Sequence, residues 1–156
     1  MAETNFVIEP MMAAHIESVL QIEKECGLNH GTFESYQIDI KKQENLIFVA
    51  INNKKILGFV SARLISSVVE IINIGVLPEA RRNRAGQALL EEVLRKAFEN
   101  NALECWLEVR NSNLAAQKFY LTNKFKIVGR RKKYYSNPVE DGILMTLIFS
   151  DENPKI

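Results

Sequence analysis

Apolar residues recur along this chain at two spacings, every second residue or every third to fourth, and each switch between them marks a change of element. Phe6 to Glu9 predicts a short strand stopped by Pro10, whose missing N–H cannot join a ladder. Met12, Ile16, Val19 and Leu20 share one helical face and predict a helix to about Cys26, and Phe33, Tyr36 and Ile40 predict a shorter one. The glycines and asparagine of Cys26 to Gly31 predict a loop between them. Leu46 to Ile51 and Ile56 to Ala62 are β-rich runs either side of Asn52, Asn53, Lys54 and Lys55, which predicts a hairpin. A turn at Ser66 and Ser67 leads into a strand from Val68 to Leu77, ended by Pro78. Leu89, Leu90, Val93, Leu94, Ala97 and Phe98 form one stripe on a helix from about Ala85 to Asn100. Leu103, Cys105, Leu107 and Val109 alternate with Glu104, Trp106, Glu108 and Arg110, the pattern of a strand with one buried face. Ser112 or Asn113 can cap a helix from Leu114 to about Thr122, and strands at Phe125 to Tyr135 and Ile143 to Phe149 complete the series.

Strands thus come both as hairpins and in strand, helix, strand units, which predicts an α/β fold with a mixed sheet carrying helices on its faces. The length of 156 residues, with no repeat or Gly/Ser/Pro linker, predicts a single domain over 1–156. A formal charge of +1 supplies no global field toward nucleic acid or an anionic membrane, so any polyanion site must be local. Apolar runs such as Leu46 to Ile51 fall far short of the roughly 20 residues a membrane span needs. Met1 to Pro10 carries Glu3 and Glu9 and lacks the pattern of a signal peptide, so a cytoplasmic location is expected. Cys26 and Cys105, far apart and without a CxxC, suit reduced thiols. His15 and His30 are too few and too badly spaced for zinc, and no metal is expected.

The stretch Ile74 to Leu90, IGVLPEARRNRAGQALL, breaks a strand at a proline and passes through an Arg-rich turn into a helix. A helix start leaves backbone N–H groups without intrahelical partners and carries roughly half a positive charge, which favours a phosphate. Gly86 lets a ligand approach the backbone, and Arg81, Arg82 and Arg84 add cationic charge; the plainer alternative is a basic loop before a surface helix.

The second informative stretch is Leu107 to Phe125, LEVRNSNLAAQKFYLTNKF. With Val76, Pro78 and Arg81 to Gly86, it resembles the GCN5-related N-acetyltransferases (GNAT), and within them the RimI-type ribosomal-protein-alanine N-acetyltransferases. The Arg130 to Tyr135 run and Glu140 to Met145 are similar to the tail of that type. The resemblance implies a GNAT fold, a mostly antiparallel sheet of about six to seven strands and about four helices, splayed at its central parallel strands. It implies acetyl-CoA as donor, with the backbone of Ile74, Gly75 and Val76 on the pantetheine arm. The pyrophosphate would lie on the turn formed by Arg81, Arg82, Asn83, Arg84, Ala85, Gly86 and Gln87, and Asn113 would contact the cofactor. Glu108 is implied as general base, Tyr120 as general acid and Tyr134 as a contact to the acceptor peptide. The acceptor would be the N-terminal α-amine of a protein, a ribosomal protein with N-terminal alanine, acted on by a monomer or homodimer with no membrane or stable nucleic-acid partner. A small-molecule amine, a lysine side chain, or a non-catalytic CoA- or RNA-binding module are the alternatives.

These residue types suit that chemistry. An α-amine with a pKa of about 7.7–8.0 is partly protonated at neutral pH and must lose its proton before attacking a thioester, which a carboxylate can accept. The leaving thiolate, from a thiol with a pKa of about 8.5, needs a proton, which a phenol with a pKa of about 10 still carries. A strand N–H near Val76 can hold the thioester oxygen as charge develops. Two positions depart from the family pattern: Arg84 replaces the first glycine of the cofactor loop, and Lys124 the glycine before the final aromatic. Cofactor binding is expected to survive the first unless that position requires positive φ, and the second is expected to bear on a helix end. The Pro-Trp type sequence of the RimI-type first loop is absent from Cys26 to Thr32. Outside the motif, Glu108 reads as a solvated strand residue, Tyr120, Trp106 and Cys105 as packing, and Arg130 to Lys133 as a solvated strand, an RNA-facing patch or a wall of a peptide groove.

Overall fold

In the computed structural model, which describes residues 5–28 and 31–150, the strands are β1 (Val7–Pro10), β2 (Asn45–Asn52), β3 (Lys55–Ile65), β4 (Val68–Val76), β5 (Glu104–Arg110), β6 (Lys126–Tyr135) and β7 (Glu140–Ile148). They form one seven-stranded sheet in the order β1-β2-β3-β4-β5-β7-β6. The helices are α1 (Ile16–Glu25), α2 (Phe33–Asp39), α3 (Ala85–Glu99) and α4 (Leu114–Thr122), with short 3-10 segments at Ala13–His15 and Pro78–Asn83. The expectation for His30 lies outside the described residues.

Two edges of the sequence reading need correction. Pro10 belongs to β1 rather than stopping it. Met11 N–H donates to Ile47 C=O, so the alternation of the ladder puts Pro10, opposite Phe48, at a position facing away from β2 on an edge strand, where no donor is needed. Leu103 precedes β5 and is 64% exposed, so the buried face is Cys105, Leu107 and Val109 alone. The β2–β3 hairpin turns through Asn53 and Lys54, both at positive φ, as a tight two-residue turn requires.

Gly58 and Gly75 fix how the two long helices lie against the sheet. A side chain at Gly58 would meet Leu89 of α3, and one at Gly75 would meet Ile22 of α1 and Leu28. These glycines sit at successive register pairs, Gly58↔Val76 and Phe59↔Gly75, so α1 and α3 cover opposite faces. Beneath them Phe59, Val60, Ile16, Ile22, Leu89 and Leu90 are almost wholly removed from water.

Three helices end in the same way. Leu28 N–H bonds back to Glu23 C=O, Ala102 to Ala97 and Phe125 to Tyr120, with Gly27, Asn101 and Lys124 at positive φ just before them. This is the Schellman ending, in which one left-handed residue lets the orphan carbonyls of the last turn be satisfied.

Candidate active site

The parallel pair β4–β5 holds together only at Val68↔Glu104, Val69↔Cys105 and Glu70↔Trp106; beyond that fork the strands diverge. A register shift between Ser61 and Ala62 leaves Ile72 without a partner on β3 where the divergence starts. Leu77 N–H donates to Leu57 C=O at 2.8 Å. In an antiparallel ladder bonded and unbonded pairs alternate, so Phe59/Gly75 is bonded while Gly58/Val76 and Val60/Ile74 are not. The N–H and C=O groups of Ile74 and Val76 therefore face the gap. By the same count from Asn111 N–H to Asp141 C=O, the backbone of Glu108 faces it from β5.

The end of β4 is held by side chains. Val76 C=O accepts from Arg81 Nε at 3.1 Å and from Cys26 Sγ at 3.5 Å. The guanidinium of Arg81 thus braces the strand end through its Nε. After the 3-10 turn Arg84 takes φ 62°, the conformation the departure from glycine had put in question. The first helical bond of α3 runs from Ala88 N–H to Arg84 C=O, so the N–H groups of Ala85, Gly86 and Gln87 precede the intrahelical ladder. A side chain at Gly86 would touch only Val76 Cγ2, at 3.6 Å, so nothing in the chain itself demands a glycine there. The Gln87 amide pairs reciprocally with Asn123 at 2.7 and 3.0 Å, tying this turn to the end of α4.

A cleft of about 610 Å³ occupies the gap, and Ile74, Glu108, Asn113, Tyr120 and Tyr134 all line it. Gly75, Val76 and Arg81 to Gln87 do not; they continue from Ile74 along the strand end into α3. Asn113 caps α4 by accepting Ala116 N–H at 3.1 Å.

Glu108 is mostly buried. Its Oε1 meets Arg131 Nε at 3.2 Å, while Oε2 is buried with no hydrogen-bond partner among the described residues. Tyr134 stands beside it: burial first, then the Glu108 carboxylate, holds this phenol above its usual range. Its ring fills the space that Gly142 leaves between Arg110 and Arg131 in register. Tyr135 stacks on the Arg110 guanidinium, 4.3 Å from its ring centre, and is pushed up to about 12, mainly by burial. Tyr120 is 5% exposed, and its ring packs edge-on against Phe125. Burial first, then Cys105 and Tyr135, holds its phenol well above the usual range, so it carries its proton at neutral pH. Cys105 lies on the face of β5 opposite that of Glu108. Burial also pushes the Cys105 thiol up, the property of an inert packing residue.

A profile of the acetyltransferase (GNAT) family matches residues 16–125. The chain belongs to the GNAT acetyltransferase family. The ribosomal protein bS18-alanine N-acetyltransferase of Escherichia coli strain K12 is 33% identical to it over 107 residues, 67% of this chain and 72% of that protein. The crystal structure of the Escherichia coli ribosomal-protein-S18-alanine N-acetyltransferase superposes with a TM-score of 0.83 at 25% identity, over 97% of this chain and 99% of that one. The PaiA N-acetyltransferase of Thermoplasma acidophilum, in complex with coenzyme A, shares the fold at a TM-score of 0.78 and 18% identity, over 92% of this chain and 99% of that one. This GNAT chain is thus an N-acetyltransferase. Sequence reading missed Asn123, Arg63 and Glu70 at the cleft or its supports, and offered Arg131 only as part of a run that could wall a peptide groove. The basic run around Arg131 was visible, but only the order β5-β7-β6 brings it to Glu108.

Proposed function

We propose that this GNAT enzyme transfers acetyl from acetyl-CoA to the N-terminal α-amine of a protein, with an alanine-starting ribosomal protein as acceptor. The observation that carries the reading is the backbone of Ile74 and the N–H of Val76, turned away from β3 toward the gap, with Ile74 lining a cleft that also holds the Glu108 carboxylate and the Tyr120 phenol. A pantetheine arm carries amides, which can complete the ladder those groups leave open. The N–H groups of Ala85 to Gln87, with Arg82, Asn83 and Arg84 beside them, suit its pyrophosphate.

In this reading Glu108 Oε2 takes a proton from the acceptor amine, held in place by the grip of Arg131 on Oε1. The amine nitrogen forms its bond to the acetyl carbon, the carbon–sulfur bond breaks, Tyr120 gives its proton to the departing sulfur, and the second proton that the nitrogen sheds on becoming an amide returns, directly or through solvent, to the Tyr120 oxygen. The Val76 N–H faces the gap where the acetyl oxygen gains charge. Tyr134 lies beside Glu108 and would contact the peptide.

Calorimetry with CoA tests the donor half: tight binding is expected, and no heat overturns it. Mass spectrometry of alanine-starting peptides, polyamines and lysine-containing peptides incubated with acetyl-CoA tests the acceptor half. Acetyl is expected on the α-amine; acetyl found only on polyamines or lysine side chains overturns that assignment.

A further inference from the structure

The charged side chains that line the cleft are Asp39, Arg63, Glu70, Glu108 and Arg110. Three are committed to ion pairs: Asp39 with Lys42 and Arg110 with Glu140, each at 3.4 Å, and Glu108 with Arg131 at 3.2 Å. Arg63 and Glu70 are not. They are register partners on β3 and β4 at the fork, yet neither head group makes a hydrogen bond or ion pair among the described residues. Glu70 and Glu108 line this cleft from β4 and β5, the strands either side of the gap, and on the same face of the sheet, since Glu70 is in register with Trp106, two residues before Glu108. Two carboxylates there suit an ammonium group awaiting deprotonation. Arg63, on the next strand, is half-buried in the same cleft with five N–H donors and no acceptor of its own.

Neighbouring strands lie about 4.8 Å apart, and an extended chain advances about 3.3–3.6 Å per residue. An amine at Glu70 and Glu108 therefore leaves Arg63 within one or two residues of it. We propose that Arg63 selects acceptors carrying a carboxylate within one or two residues of the amine that is acetylated. The guanidinium fork matches a carboxylate better than any other group such an acceptor presents. That carboxylate has two sources: an Asp or Glu side chain near a protein N-terminus, or the α-carboxylate of a free amino acid. The inference rests on reading the cleft as the acceptor site.

The test uses matched acceptors differing only in this charge: an alanyl-glutamyl peptide against its alanyl-glutaminyl twin, and free alanine against alaninamide. A preference of about tenfold or more in kcat/KM for one charged member is expected, the size of a charge-assisted hydrogen bond in a partly exposed site. It should appear in KM with kcat unchanged, vanish in Arg63→Gln, persist partly in Arg63→Lys, and invert toward an alanyl-lysyl peptide in Arg63→Glu. The pair that shows the preference names the source. Titrating the same acceptors onto the CoA-loaded protein reads the preference as a ratio of Kd values even without turnover, which separates failure here from failure of the proposed reaction. Equal Kd for charged and amide members of both pairs in the unmutated protein overturns the proposal.

Discussion

Lys124 offers a direct test of how backbone conformation supports the site. It stands at φ 69° as the left-handed residue of the α4 Schellman ending. For an L-residue that conformation costs about 1–2 kcal/mol, because its Cβ crowds the following carbonyl. Lys124→Gly removes that crowding, while glycine's greater freedom in the unfolded chain takes back about 0.5–1 kcal/mol. A net stabilisation of about 0.5–1 kcal/mol follows, equivalent to roughly 1–4 °C in Tm for a chain of this size. Differential scanning calorimetry of the purified variant reads it. Arg84→Gly, at φ 62°, should show the same gain, and its affinity for CoA read separately reports whether the arginine side chain adds to the loop. A Tm unchanged or lowered in Lys124→Gly would refute the reasoning, showing that the lysine's own contacts outweigh the strain of its backbone.

Glu108→Gln and Tyr120→Phe should each slow steady-state acetylation by about 10² or more while CoA affinity holds, the usual span of general acid–base contributions being roughly 10² to 10⁴; full rate in both removes their assigned roles. Tyr36→Phe takes the phenol donor from the fully buried Glu23 carboxylate, which also accepts Gly31 N–H at 3.2 Å. That should cost about 1–3 kcal/mol, and an unshifted urea midpoint would contradict it. All four tyrosines are held above their ordinary range, Tyr135 at about 12 and Tyr36 mainly through burial and Glu23. Between the unfolded value of about 10 and these raised values the folded chain binds more protons than the unfolded one, so stability is full below about pH 10 and falls above it. Tyrosinate absorbance of the native protein at pH 10.5 should therefore stay well below that in urea; a native midpoint near 10 would contradict the burial of these phenols.

Much of the site was legible because its chemistry sits on elements with strong periodic signals. The alternation of Cys105, Leu107 and Val109 put Glu108 on the other face of β5, and the stripe from Leu89 to Phe98 fixed where the turn before α3 had to deliver its N–H groups. What periodicity cannot supply is strand order. Nothing in the run Arg130 to Lys133 says that β7 inserts between β5 and β6, and without that order Arg131 is one cation among four rather than the partner of Glu108. Arg63 and Glu70 were hidden for the same reason: on paper they are ends of separate strands, and only the register joins them.

The two departures from glycine show what such positions supply. Arg84 and Lys124 occupy left-handed positions that glycine fills more cheaply, yet the chain folds into both. What those positions provide is backbone direction: the N–H groups opening α3, and the bond from Phe125 to Tyr120 that seats the candidate acid. A side chain can change there without changing that direction, at a cost of about 1 kcal/mol, which a stable domain absorbs. In the proposed mechanism Glu108 has no such latitude, because what it supplies is a side-chain oxygen, and only Asp among other residues carries the same group on a shorter arm. Tolerance at the first two positions and intolerance at the third would follow from one distinction, between positions that shape the backbone and a position whose side-chain oxygen takes a proton in the proposed reaction.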